Sequence, residues 1–204
     1  MPSIAVLGGD GIGPEIIREA VRVLARVRPD VRCVEAPVGG AALELGLPPL
    51  PDETRDLCAG SAAILFGAVG LPKYDAAPMA QRPEAAIFAL RSIFGLYANL
   101  RPVRVFPGLE QASSLRPELV RGLDLVVVRE LTGGLYFGAR ETRFEDGIEV
   151  ATDTMIYRAP EVERILRTGF ELARSRRKHL TSVDKENVLD TSRLWRRIAL
   201  QMAH

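Results

Sequence analysis

The sequence reads as an α/β protein: a parallel-sheet domain with helices on both faces, then a second α/β subdomain with β-hairpin character. Three observations carry this. In the first half, short apolar runs alternate with segments of helical period, the pattern of a parallel sheet covered on both sides. A glycine-rich stretch, Gly8-Gly9-Asp10-Gly11-Ile12-Gly13, joins the first such run to Pro14, where a helix starts without losing a hydrogen bond. From about residue 99, strand-like runs follow one another, with Gly133-Gly134 and Asp146-Gly147 as turn signals. This sets two domains, 1–98 and 99–204, within a length of 204 residues that suits one large core or two small ones.

Taken in order, residues 3–7 form a first strand. Ile16, Ile17, Ala20, Val23, Leu24 and Val27 then recur at helical spacing. Residues 31–36 and 62–66 read as the next two strands, with a short helix over 51–57 between them. Residues 72–83 hold three prolines and no period, so they read as a loop. A strong helix is expected over 83–97, broken at Asn99-Leu100-Arg101-Pro102. Beyond it, 103–106, 123–129, 135–137 and 148–156 look like strands. A helix over 160–177, a strand over 179–183 and a last helix from Thr191 complete the chain. That last helix ends without a glycine cap, a pattern that looks cut rather than concluded.

Composition excludes several classes. The chain is 47% hydrophobic and 26% charged with a net charge of +1, which calls for neither nucleic acid nor an anionic membrane. Cys33 and Cys58 share no metal-ligand spacing, so two buried free thiols in a reducing compartment are expected. No signal peptide or bilayer-length apolar run is visible, which points to the cytoplasm. His179 and His204 form no ligand cluster with each other or with a cysteine.

Several motifs could carry chemistry. The glycine loop does not match G-x-G-x-x-G, and Glu15 in the first helical turn opposes a pyrophosphate, so a tight strand-to-helix turn is favoured. Glu84, Ile87, Phe88 and Arg91 fall at i, i+3, i+4 and i+7, on one helix face. They fit either a pocket for a branched anion or an ordinary amphipathic stripe. Arg91, Arg101 and Arg129 sit at helix and strand ends, where guanidinium forks can take carboxylates, although surface arginines are common. Tyr136 lies in a glycine-flanked hairpin, as a proton donor or as a packing aromatic. Lys185 follows a strand among acids, as a base if burial lowers its pKa or as part of a solvated loop. The basic run 174–179 sits at a helix C-terminus, which the dipole favours.

Five strings in order, 9–15, 82–84, 96–102, 128–138 and 182–189, together resemble the β-decarboxylating dehydrogenases, the isocitrate/isopropylmalate dehydrogenase family, over essentially the whole chain. Residues 99–102 and the pair Ile87 and Phe88 are most similar to members acting on 3-isopropylmalate. The resemblance implies oxidative decarboxylation of 3-isopropylmalate to 2-oxoisocaproate in leucine biosynthesis, with NAD and Mg2+ or Mn2+. It implies that Arg91, Arg101, Arg129 and Asn187 bind substrate and that Ile87 and Phe88 contact its alkyl group. Ile12, Leu71, Pro72, Lys73 and Glu84 border the cofactor. Lys185 takes the hydroxyl proton and Tyr136 protonates the enol carbon. It further implies a homodimer with shared sites, Lys185 and Asn187 serving the partner, and an arm at about 134–157 joining the subunits. A divalent ion suits this chemistry as a Lewis acid with oxygen ligands.

The family's metal aspartates and adenosine-binding loop lie beyond the Lys-x-Asn string. The expectation is therefore a truncated chain with no metal ligands, little turnover alone, and exposed apolar surface. The alternatives are a sister enzyme for isocitrate, homoisocitrate, tartrate or malate, or a non-catalytic dimerising fragment. A polar or basic residue at 87 or 88 would favour a substrate with an extra carboxylate.

Overall fold

The computed structural model describes residues 1–203, and His204 lies outside them. The chain forms two compact units, one ending at Phe94 and one beginning at Gly95. In the first, β1 (Ser3–Gly9), α1 (Gly13–Val27), β2 (Arg32–Glu35), α2 (Gly40–Glu44), α3 (Asp52–Ala59), β3 (Ala63–Ala68) and α4 (Ala85–Ile93) follow in order. The sheet is parallel, in the order β2-β1-β3, with Ala5 opposite both Val34 and Ile64. Central β1 is buried on both faces at Ala5, Val6 and Leu7, which is why it reads as a continuous apolar run. On one face Ala5 and Leu7 pack with Cys58 of α3 and with Ala86 and Leu90 of α4. On the other, α1 brings Ile17 so close that a Cβ added at Gly67 would lie 3.0 Å from it. Complete burial of a leucine such as Leu7 or Leu90 contributes about 2–3 kcal/mol.

The second unit contains β4 (Ala98–Arg104), α5 (Pro117–Val120), β5 (Asp124–Glu130), β6 (Arg140–Glu145), β7 (Ile148–Asp153), α6 (Ala159–Ser175) and α7 (Asp190–Ala203). β4 and β5 pair antiparallel, as do β6 and β7. The β6–β7 hairpin turns at Asp146 and Gly147, both at positive φ (50° and 81°), the geometry an Asp-Gly type I′ turn requires. Val162 and Leu166 of α6 and Ile198 of α7 form a separate core with Trp195 and Phe170 against it.

Several elements differ from the sequence expectation. The helix expected over 83–97 is α4, which stops at Ile93 because Gly95 adopts φ +58° and a left-handed residue ends a helix. Residues 99–102 are no break: they lie inside β4, and Pro102 is tolerated because β4 pairs with β5 alone among the described strands. Residues 135–137 are a turn rather than a strand, tied by the Gly134 amide donating to the Ile156 carbonyl at 2.7 Å. Residues 179–183 join no described strand; they and β5 border a groove of about 950 Å³. Three elements were not anticipated, the five-residue α2, the four-residue α5 and the charged strand β6. Two 3-10 turns, Pro72–Tyr74 and Met79–Gln81, punctuate the proline loop. Cys58 is buried as expected, whereas Cys33, on an outer strand, is only half-buried; both are free thiols. Among the described residues no helix is long and apolar enough to cross a membrane.

Candidate functional site

In the first unit Ile12 sits on the loop after β1, Leu71, Pro72 and Lys73 on the loop after β3, and Glu84, Ile87, Phe88 and Arg91 at the start of α4 and along it. The loops after β1 and β3 and the start of α2 meet at Asp10, 5% exposed, whose carboxylate accepts from the amides of Gly40 and Ala41 at 2.8 Å and of Gly70 at 3.0 Å. Gly9, at φ +72°, makes the tight turn that aims Asp10 inward. The same turn leaves Ile12 exposed. Leu71 lies against Gly40, where an added Cβ would be 2.6 Å from its Cδ1. Pro72 and Lys73 are exposed, and the Lys73 ammonium pairs with Glu44 at 2.5 Å; that hydrogen bond raises its pKa against opposing desolvation. Glu84 approaches the same turn, with Oε1 3.0 Å from a Cβ added at Gly70. The Glu84 carbonyl accepts the Ile87 and Phe88 amides at 3.1 and 3.3 Å as α4 begins. Arg91 lies over the Phe88 ring at 5.8 Å. Glu84, Ile87, Phe88 and Arg91 are all half-buried.

In the second unit, Asn99 pairs with Arg129 and Arg101 with Val127. Arg101 and Arg129 therefore share one face of the β4–β5 ribbon as diagonal neighbours, about 7–8 Å apart in such a ladder. The Arg101 Nε donates to Asn99 Oδ1 at 2.6 Å. The Arg129 guanidinium lies 5.1 Å from the centre of the Tyr136 ring, so the ribbon and the glycine turn bring these two side chains together. Tyr136 is 57% exposed. Lys185 and Asn187 are exposed in the loop before α7, so the burial that sequence reasoning required for a lysine base is absent within this chain. The acids flanking Lys185 are engaged: Asp184 and Glu186 each meet Arg196 at 3.1 Å. The Arg196 hydrogen bond holds the Asp184 carboxyl below the usual carboxylate range, against opposing desolvation.

Sequence reasoning missed two buried carboxylates, Asp10 and Glu130. Both lie within the motif strings, but only their long-range partners mark them. Glu130 accepts from the Thr132 amide and hydroxyl and from the Gly133 amide at 2.9, 2.6 and 2.7 Å, and pairs with Arg164 of α6 at 3.2 Å. Tyr157 packs beneath this turn, and burial pushes its phenol pKa up. His179 meets the Thr181 hydroxyl at 3.2 Å. Among the described residues no three His, Cys, Asp or Glu side chains are grouped to hold a metal ion.

Known proteins resemble this chain in sequence and fold. The model of the isocitrate/isopropylmalate dehydrogenase family matches residues 3–204. A 3-isopropylmalate dehydrogenase from Moorella thermoacetica is 56% identical over 96% of this chain, and one from Bacillus caldotenax is 51% identical over 98%. The chain spans 56% of the length of each. Among solved structures, isocitrate dehydrogenase from Methylococcus capsulatus superposes with a TM-score of 0.83 at 32% identity, over all of this chain and 57% of that one. A β-decarboxylating dehydrogenase from Thermococcus kodakarensis gives 0.73 at 35% identity, over all of this chain and 55% of that one. With its parallel-sheet unit, its arginine-bearing ribbon and a family match over nearly its whole length, the chain belongs to the isocitrate/isopropylmalate dehydrogenase family.

Proposed function

We propose that this chain contributes the substrate-binding and acid–base part of a cytoplasmic enzyme that oxidatively decarboxylates 3-isopropylmalate to 2-oxoisocaproate with NAD. The observation that carries the reading is the ribbon with Arg101 and Arg129 on one face and Tyr136 stacked on Arg129. It sets two carboxylate forks beside a phenol. The apolar pair Ile87 and Phe88 on α4, with Arg91 one turn on, suits an alkyl-bearing diacid better than a tricarboxylate.

In this reading Arg91, Arg101 and Arg129 hold the two carboxylates and Asn187 assists. Lys185 accepts the hydroxyl proton as the alcohol carbon becomes a carbonyl. After carbon dioxide leaves, Tyr136 Oη delivers a proton to the enol carbon. Lys185 and Asn187 serve the site of a second copy in a homodimer, so the partner's surface supplies the burial a lysine base needs. The arm is at about residues 134–157, and the two domains, drawn from sequence as 1–98 and 99–204, correspond to the compact units that divide between Phe94 and Gly95.

The residues present fit the nicotinamide end of a dinucleotide. Ile12 is exposed beside the open face of Gly11, where an added Cβ would meet nothing within 4 Å. Leu71, Pro72 and Lys73 follow, and Glu84 lies next to the Gly70 turn. The bound dinucleotide supplies the hydride acceptor. A divalent ion, Mg2+ or Mn2+, does not fit the described residues, which offer no ligand group, and no step above is routed through one.

The test is NADH formation from 3-isopropylmalate, NAD and Mg2+ by the chain mixed with the C-terminal half of the Moorella relative. The expected result is turnover that prefers 3-isopropylmalate over isocitrate and is lost in Lys185→Ala and Tyr136→Phe. Turnover that survives both substitutions, a preference for isocitrate, or no NADH in the mixture overturns the reading.

A further inference from the structure

We propose that Glu130 is the positioning residue for Tyr136, a role that rests on the reading of Tyr136 as proton donor. An acid must reach within about 2.6–3.2 Å of the atom it protonates. Tyr136, 57% exposed, has little packing to hold it there. Its position is inherited from the turn that carries it, and that turn is gathered around Glu130.

The geometry is specific. The Glu130 side chain is 1% exposed. One carboxylate oxygen collects the Thr132 and Gly133 amides, and the other takes the Thr132 hydroxyl and the Arg164 guanidinium. Arg164 also bonds the Thr132 hydroxyl and stacks on Tyr97 at 4.8 Å, so β4, β5, α6 and the turn share one buried charge. Arg129 and Glu130 are consecutive on β5 and so point to opposite faces. Folding residues 132 and 133 back onto Glu130 fixes where the chain re-emerges, and Tyr136 then arrives over Arg129 on the other face. The Gly134 amide on the Ile156 carbonyl and the Arg140 guanidinium on the Tyr136 carbonyl, each at 2.7 Å, complete the path. Gly133 has no room for a side chain, because an added Cβ would lie 2.8 Å from the Tyr157 ring.

The test uses the full chain with fluorotyrosine at its four tyrosines, with Tyr136→Phe assigning the Tyr136 resonance. Glu130→Gln keeps an acceptor for the two amides. Glu130→Asp keeps the charge facing Arg164 but withdraws the oxygens by one methylene. Glu130→Met removes both. The Tyr136 fluorine resonance is expected to stay in place in the Gln variant. In the Asp and Met variants it should move most of the way to the free amino-acid position, with Tyr74 unmoved and with Tyr97 and Tyr157, which touch Arg164 and the turn, shifting only part of the way. If Glu130→Met does not fold, Glu130→Asp decides. A Tyr136 resonance unmoved in Glu130→Asp overturns the proposal. So does a spectrum in which Tyr97 and Tyr157 reach their free amino-acid positions as well, since Glu130 would then support the whole unit. The separate finding that Tyr136→Phe retains turnover would remove the proton-donor reading and leave the fluorine result standing.

Discussion

Replacing Asp10 by alanine should destabilise the first unit by about 3 kcal/mol. Three amide donors lose a charged acceptor. That of Gly40 belongs to a buried residue, and an orphaned buried donor costs about 1–3 kcal/mol. Ala41 and Gly70 are half-buried, so water partly replaces the carboxylate and each loss is nearer the ~0.5–1.5 kcal/mol of an ordinary hydrogen bond. Relief of the carboxylate's own desolvation returns a fraction of this. Dividing by a urea slope of roughly 1.5 kcal/mol/M, the unfolding midpoint should fall by about 2 M. The assay is urea unfolding followed by the amide resonances of residues 1–94, with hydrogen exchange at Gly40, Ala41 and Gly70. A midpoint that falls by less than about 0.5 M, with all three amides still protected, would refute the reasoning.

Two further outcomes are expected. Arg196 holds the Asp184 carboxyl below the usual carboxylate range, so this contribution is complete above about pH 4 and is lost as the pH falls through the lower folded-state value. Arg196→Met should therefore have a lower Tm than the parent at pH 6 and a smaller drop in Tm between pH 5 and pH 2; parallel Tm profiles would contradict this. Lys178, three residues beyond α6, adopts φ +58°, its amide donating to the Ala173 carbonyl at 2.9 Å, a backbone conformation that favours glycine. Lys178→Gly should raise stability by about 0.5–1 kcal/mol, read as a higher urea midpoint; a lower midpoint would show that the backbone there is unstrained.

The parts of the fold that were legible in sequence are those fixed by local pattern. The β1 run, Pro14 at the start of α1, the period of α6 and the Asp146-Gly147 turn each carry their own signal. The misread parts depend on partners far along the chain. Residues 135–137 are apolar enough for a strand, yet Gly133 and Gly134 close against Tyr157 and fold them into a turn. Residues 140–145 look too charged for a strand, but Arg143 meets Glu141 and Glu145 along one face of β6, and the hairpin register does the rest. Residues 179–183, expected as a strand, find no described strand to pair with. In the candidate site, the α4 stripe follows from helical spacing. The sharing of one face by Arg101 and Arg129 needed the β4–β5 register, which no single string encodes.

Asp10 and Glu130 solve the same problem at two strand ends. In both units an exposed loop turns on glycine, which brings no side chain to hold it. The backbone amides of such a turn are donors that need partners. A neutral acceptor could satisfy them singly, but a buried carboxylate gathers several at once and makes stronger bonds. Asp10 joins two loops to the start of α2 in this way, and Glu130 joins a turn to α6. The arrangement is costly to disturb, because an apolar replacement of similar size strands two or three donors in low dielectric. In the proposed reading, the positions of Ile12, Leu71 and Glu84 in one unit, and of Tyr136 in the other, are set from beneath by these buried acids. The residues best placed to tune either loop are for that reason the buried acids rather than the exposed side chains above them.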